Sequence, residues 1–209
     1  SGAEDLTFVA QNEERIKTFK KSFLNFAHTF SVPTNKNTRV LDIGCAGGAF
    51  PKAADDLGFN VVGIEPSQYL CEWGKKEYGL DLRPGILDEH DFEKESFDVI
   101  TLWDVVEHLI DPRVEIKKIS YILKKNGYLI VNYPDYNSLV AKLMGLKWPF
   151  FLSVHLFYFS SKTIKIFLSK FGFEIVELKP HWQTLKLEYV LRRASTSFGF
   201  FKVIQKFIQ

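Results

Sequence analysis

Cysteine is nearly missing from this sequence: 209 residues contain only Cys45 and Cys71. Two cysteines make no disulfide framework, so the fold must rest on a hydrophobic core. Long apolar runs are missing too. The longest candidate, residues 148–159, is interrupted by Pro149, Ser153 and His155 and falls short of a membrane span. The opening fifteen residues carry Glu4, Asp5, Glu13 and Glu14 and do not show the basic-then-apolar order of a secretory leader. No internal repeat and no low-complexity linker occurs. Neither sign of charge dominates: 27 Lys+Arg face 25 Asp+Glu, and a net charge of +2 gives no argument for nucleic acid. These absences predict a cytoplasmic protein with no nucleic-acid partner, at most peripheral at a membrane.

What is present suits one domain with a sizeable core: 46% hydrophobic and 25% charged residues are ordinary for a globular chain and unlike a disordered one. Aromatics are plentiful at 15%, with 20 Phe. That excess suggests apolar surface for a substrate, a partner or a membrane face.

Residues 12–30 read as an amphipathic helix, with Ile16, Phe19, Phe23, Phe26 and Phe30 near a helical period. From there strand and helix alternate. Strands are predicted at 39–43, 60–64, 81–83, 97–102, 128–132 and 173–178. The predicted helices cover 50–57, 67–78, 161–170 and a stretch opened by Asp111-Pro112 and ended by Gly127. Such alternation implies right-handed crossovers and a mostly parallel sheet covered on both faces. Ligands then bind at the carboxyl ends of the strands. Residues 42–48, 65–67, 103–108 and 133–135 are therefore where chemistry is sought.

The sharpest signal is Asp42-Ile43-Gly44-Cys45-Ala46-Gly47-Gly48, a glycine-rich turn after the first strand, where backbone can approach a ligand closely. Glu65 ends the second strand at a spacing suited to a carboxylate that accepts hydrogen bonds from ribose hydroxyls. The dinucleotide pattern G-x-G-x-x-G is not matched, because Ala46 holds the second glycine slot. Asp42 would repel a pyrophosphate, yet it can order the loop or meet a cationic methionine-like tail. The charge logic favours a sulfonium cofactor, and a nicotinamide oxidoreductase is disfavoured.

Residues 42–48 resemble motif I of the class I S-adenosylmethionine-dependent methyltransferases. Val62-Gly63-Ile64-Glu65-Pro66-Ser67 resembles their second motif, residues 97–109 their fourth-strand motif, and residues 123–131 the turn into their fifth strand. The resemblance spans residues 12–178. It implies a Rossmann-like α/β fold with a mostly parallel sheet of seven strands, or six within this sequence, and helices on both faces. It also implies that Asp42, Gly44, Cys45, Ala46 and Gly48 line the methionine part of S-adenosylmethionine, although Cys45 by itself reads as a small buried residue. Glu65 would hold the ribose, and Pro66, Ser67, Ile86 and Leu87 would flank the adenine. Asp88 would meet the adenine amino group, while Trp103 and Asp104 would pass beneath the methionine end. The departure from the family is Ala46, which leaves a catalytically weak cofactor-binding partner subunit as the alternative to an active enzyme.

The single domain, 1–209, divides into a helix and loop (12–36), a cofactor core (39–135), a substrate lid (136–160) and a C-terminal part (161–209). Transfer to an oxygen needs a base. His155 in the lid and His108 after the fourth strand are the catalytic candidates, with Tyr133 and Tyr158 behind them. If a helix begins after the fourth strand, Asp104 and His108 share a face. A divalent metal there is suggested by resemblance to ubiquinone-biosynthesis O-methyltransferases but is not favoured, and no metal ligands are assigned. His155-Leu156-Phe157-Tyr158-Phe159-Ser160 resembles bacterial methyltransferases of sugar, glycolipid and cell-envelope pathways. The expected acceptor is a small molecule, glycan or glycolipid, methylated at a hydroxyl oxygen. The tail, rich in Phe and flanked by Arg192, Arg193, Lys202 and Lys206, is expected to form a basic amphipathic helix for a membrane surface or a second subunit.

Overall fold

The computed structural model describes residues 9–181. The first helix, α1 (Asn12–Thr29), buries Phe19, Phe23, Phe26 and Ala27, one stripe at helical spacing. Five strands follow: β1 (Arg39–Ile43), β2 (Asn60–Glu65), β3 (Asp81–Pro84), β4 (Phe97–Trp103) and β5 (Leu123–Asn132). All pairings are parallel, in the order β3-β2-β1-β4-β5. The chain steps outward from β1 to β3 and then crosses back to β4. The switch point, where a ligand crevice opens, lies beyond the carboxyl ends of β1 and β4.

The crossovers are α2 (Ala49–Asp56), α3 (Gln68–Tyr78) and α4 (Pro112–Ile122). Their ends follow the sequence signals. Ser67 Oγ accepts from Leu70 N, Gly79 closes α3 in the left-handed region, and Asp111 caps α4 with Pro112 in its first turn. Alternate side chains of β1 enter opposite layers. Val40 joins Phe19, Phe23, Phe50 and Phe59 under α1 and α2. Leu41 and Ile43 join Ile100, Leu102, Ile116 and Ile119 on the other face. A sheet buried on both faces explains the near-continuous apolar runs of its central strands. Two later helices complete the described residues: the short α5 (Leu139–Met144), and α6 (Ser161–Ser169), whose Ile164 and Leu168 close the second core. No helix among them is long and apolar enough to cross a membrane.

Three expectations need correction. The helix opened by Asp111-Pro112 stops at Ile122, and β5 begins at Leu123, which already pairs with Phe97. Gly127 lies inside β5, where the register shifts. A Cβ there would come within 2.9 Å of Lys124 O and 3.0 Å of Asp98 O, so the glycine answers a close approach and not a helix stop. The expected sixth strand at 173–178 forms no ladder. Phe173 and Ile175 pack on the core while Glu174 and Val176 point outward, so its alternation was real but its backbone pairs with no strand. The sheet therefore has five strands among the described residues, against the six or seven expected. The tail beyond Arg192 lies outside the described residues.

Candidate active site

At the end of β1 the chain turns through three left-handed positions, Gly44 at φ 70°, Ala46 at φ 47° and Gly48 at φ 81°. Gly44 is required by contact as well as by conformation, since a Cβ would lie 2.5 Å from Val105 Cγ2. Ala46 is the unusual member, because a Cβ in this region is disfavoured. Two bonds hold the turn in place. Gly44 N and Cys45 N both donate to Ile64 O, at 2.8 and 3.0 Å. Glu65 then bridges the two loops: its carboxylate accepts from Ala46 N at 2.9 Å and from Ser67 N at 3.0 Å. A carboxylate offers about four acceptor sites, so a diol can add to these two bonds.

Asp42 lies beneath the loop, 2% exposed, and Thr101 Oγ1 donates to it at 2.6 Å. Burial pushes its carboxyl up to about 8, opposed by the Thr101 bond and the Arg15 charge. This is the environment of a residue that orders the loop from below. Cys45 is buried against Gly63, and burial raises its thiol well above the ordinary range, so it packs and does not react.

Next to the loop is an apolar cavity of about 70 Å³. Ile43, Gly44, Ile64, Pro66, Ile86 and Val105 are among its walls. Ile86 is half exposed at the mouth, and Leu87 is fully buried behind it. Glu115 borders the cavity, its carboxyl raised by burial and then by the nearby Asp88 charge. Asp88, the residue expected to meet the adenine, does not line it. It is exposed and paired with Lys118 Nζ at 3.2 Å. Sequence reasoning missed Glu115, although an acid beside the buried Ile116 and Ile119 of α4 was a visible signal.

Trp103 packs among Phe19, Phe50 and His181 at centroid distances of 4.9, 5.4 and 4.9 Å. Asp104 follows at φ 57° and accepts from Asn132 Nδ2 at 2.6 Å. No helix begins there, so Asp104 and His108 do not share a helical face. The groups that converge are Glu107, His108 and His155, with one ligand atom of each within 4.8 Å of the others. The lid is stitched to this turn by its backbone. Leu156 N and Phe157 N donate to Glu107 O at 2.8 and 3.1 Å, and His108 Nδ1 donates to Val154 O at 3.0 Å. The two imidazoles meet edge to face, 4.7 Å between centroids. His155 is buried and His108 exposed. Glu107 is buried as well, and burial pushes its carboxyl up to about 7. The Tyr133 hydroxyl is pushed up to about 12, chiefly by burial, which removes it as a base near neutrality.

These residues fit the group implied by the sequence: close backbone approach at a turn, a carboxylate for a diol, and apolar walls for a flat ring. A family described as a methyltransferase domain matches residues 11–178. A ubiquinone biosynthesis O-methyltransferase from Bradyrhizobium diazoefficiens is 35% identical over 117 residues, covering 53% of this chain and 46% of that protein. One from Pelagibacter ubique is 34% identical over 129 residues, covering 57% and 52%. The chain thus spans about half the length of the curated relatives it matches. Among solved structures, a SAM-dependent methyltransferase from Archaeoglobus fulgidus superposes with TM-score 0.60 at 17% identity, covering 85% of this chain and 86% of the other. One from Thermotoga maritima gives 0.58 at 24% identity, covering 79% and 72%. At these identities the structures establish the fold.

Proposed function

Because the chain belongs to the class I S-adenosylmethionine-dependent methyltransferase family, we propose that it transfers a methyl group to a hydroxyl of a small-molecule or glycan acceptor. The observation that carries this reading is the histidine pair at the carboxyl edge of the sheet, together with a loop whose tight turn and Glu65 carboxylate suit the cofactor. The names of the relatives, O-methyltransferases of ubiquinone biosynthesis, support an oxygen on a small molecule. Bound S-adenosylmethionine supplies an activated methyl group, so the protein's task is to position two partners and to take a proton.

In this reading Glu65 would orient the ribose, the turn at 44–48, ordered from below by Asp42, would hold the methionine end, and the apolar slot bordered by Glu115 would take the adenine. His108 donates its Nδ1 proton to Val154 O, which leaves Nε2 as the acceptor atom. Nε2 would take the acceptor's hydroxyl proton, freeing that oxygen for the methyl group, with the electron pair of the broken C–S bond returning to sulfur as S-adenosylhomocysteine leaves. Of the two candidate histidines, His155 is buried and His108 is exposed with its Nδ1 engaged, which favours His108 as the base. His155 then acts behind His108, next to Glu107. The left-handed Ala46 keeps the loop bonded to Glu65, which favours an active enzyme over a weak partner subunit.

One carboxylate and two imidazoles within 4.8 Å could also hold a divalent ion, and a chelator separates the readings. The test is radiolabelled transfer to a panel of catechol and sugar acceptors. His108→Ala should lower turnover by about 10²–10⁴-fold with cofactor affinity retained, and chelation should leave the wild-type rate intact. Unchanged turnover in His108→Ala refutes the base, and loss of activity on chelation refutes the metal-free form.

A further inference from the structure

The lid turns an unusual amount of apolar side chain to solvent. Leu139, Val140 and Leu143 fall at i, i+1 and i+4, one face of α5, and Leu146 follows in the turn beyond Gly145. All four are exposed, Leu143 at 78% and Leu146 at 95%. Phe150 and Phe151 are exposed as well, and Phe151 packs against Tyr158, whose ring in turn meets His155. Soluble proteins seldom present so continuous an apolar face without a partner for it.

Charge identifies the partner. Between Asp135 and Glu174 there is no Asp or Glu, while Lys142, Lys147, Lys162, Lys165 and Lys170 all occur and are all exposed. Take those five from the chain's 27 basic residues and the remainder is outnumbered by its 25 acidic ones. Two of these lysines, Lys142 and Lys147, alternate with the exposed leucines, and Lys162, Lys165 and Lys170 belong to α6 and its end. Apolar side chains interleaved with lysine, with acid excluded, match the boundary between acyl chains and anionic headgroups.

We propose that residues 139–158 dock this chain on a bilayer that carries anionic lipid. Leu139, Val140 and Leu143 of α5 and Leu146 of the following turn enter the headgroup boundary, and Lys142 and Lys147 meet the phosphates. The docking does not depend on methyl transfer. Its consequence does: Val154 and His155 belong to the same segment and touch His108, so an amphiphilic acceptor would reach the base directly from the bilayer.

The experiment is co-sedimentation of the full chain with vesicles of phosphatidylcholine alone or mixed with phosphatidylglycerol. The wild type should bind the mixed vesicles, more weakly as salt rises, and not the neutral ones. A lysine near such a surface is worth about fivefold in affinity. Lys142→Gln with Lys147→Gln should therefore weaken binding by about twenty-fivefold. Leu143→Asp with Leu146→Asp should weaken it at least as much, whereas Leu24→Asp, exposed on α1, should leave it unchanged. Three results overturn the proposal: no binding to the mixed vesicles, equal binding by the Leu143→Asp/Leu146→Asp variant, or a wild-type dimer in ultracentrifugation that this variant dissociates. S-adenosylhomocysteine affinity, measured in the same preparations, separates failure of docking from failure of the methyltransferase reading.

Discussion

Replacing Glu107 with Gln should stabilise the protein, and by more at pH 8 than at pH 5. The carboxyl is 2% exposed, and its Oε2 has no hydrogen-bond partner. Burial, opposed by a backbone bond and reinforced by the Asp104 charge, moves it from the usual 4.5 to about 7. The folded value therefore lies above the unfolded one. Below about pH 4.5 both states hold the proton and the group is neutral in its effect on stability. Between the two values the unfolded chain ionises while the folded one keeps its proton, so stability falls as pH rises. Above 7 both are ionised and the penalty is complete. A displacement of about 2.5 units corresponds to a full penalty of about 3 kcal/mol, of which about 2–3 kcal/mol develops between pH 5 and 8. Gln keeps the shape and abolishes the ionisation, so its advantage over the wild type should grow by that amount across the window. Urea denaturation of both proteins at the two pH values measures it. An equal stability difference at pH 5 and pH 8 would refute the reasoning, since any cost of packing the amide is the same at both.

Two further substitutions probe the loop. Ala46→Gly relieves a left-handed Cβ and should raise stability by at most about 1 kcal/mol, the gain being trimmed by the freer unfolded chain; thermal melts check this, and a loss would mean that the methyl group packs favourably. Thr101→Val removes the donor to buried Asp42 and should cost about 1–3 kcal/mol in denaturant titration, with proton uptake by the aspartate at still higher pH.

Much of the frame was legible because its signals are local. Gly44, Gly48, Gly79, Ser67 and Asp111-Pro112 each answer a backbone need within a few residues, and the apolar strands answer burial on both faces. Gly127 was misread because the same residue type serves a helix stop and a crowded strand, and only the neighbouring Asp98 carbonyl distinguishes them. The 173–178 segment alternates like a strand, yet alternation records which side chains are covered and not whether the backbone finds a partner. The site divides the same way. The meeting of Glu65 with the turn at 44–48 was readable from spacing. The joining of Glu107, His108 and His155 was not, since His108 and Val154 are 46 positions apart and meet only through the fold. Asp88 and Glu115 changed places for a related reason: a surface lysine, Lys118, holds the first outside the slot that the second borders.

The central claim is that the loop after β1 and Glu65 hold S-adenosylmethionine. Isothermal titration of S-adenosylhomocysteine into the wild type and Glu65→Ala, with circular dichroism confirming that both are folded, tests it most directly. The wild type should bind, and the variant should lose about 1.5–3 kcal/mol, roughly ten- to a hundredfold in affinity. A wild type that does not bind, or a folded Glu65→Ala that binds as tightly as the wild type, would contradict the account.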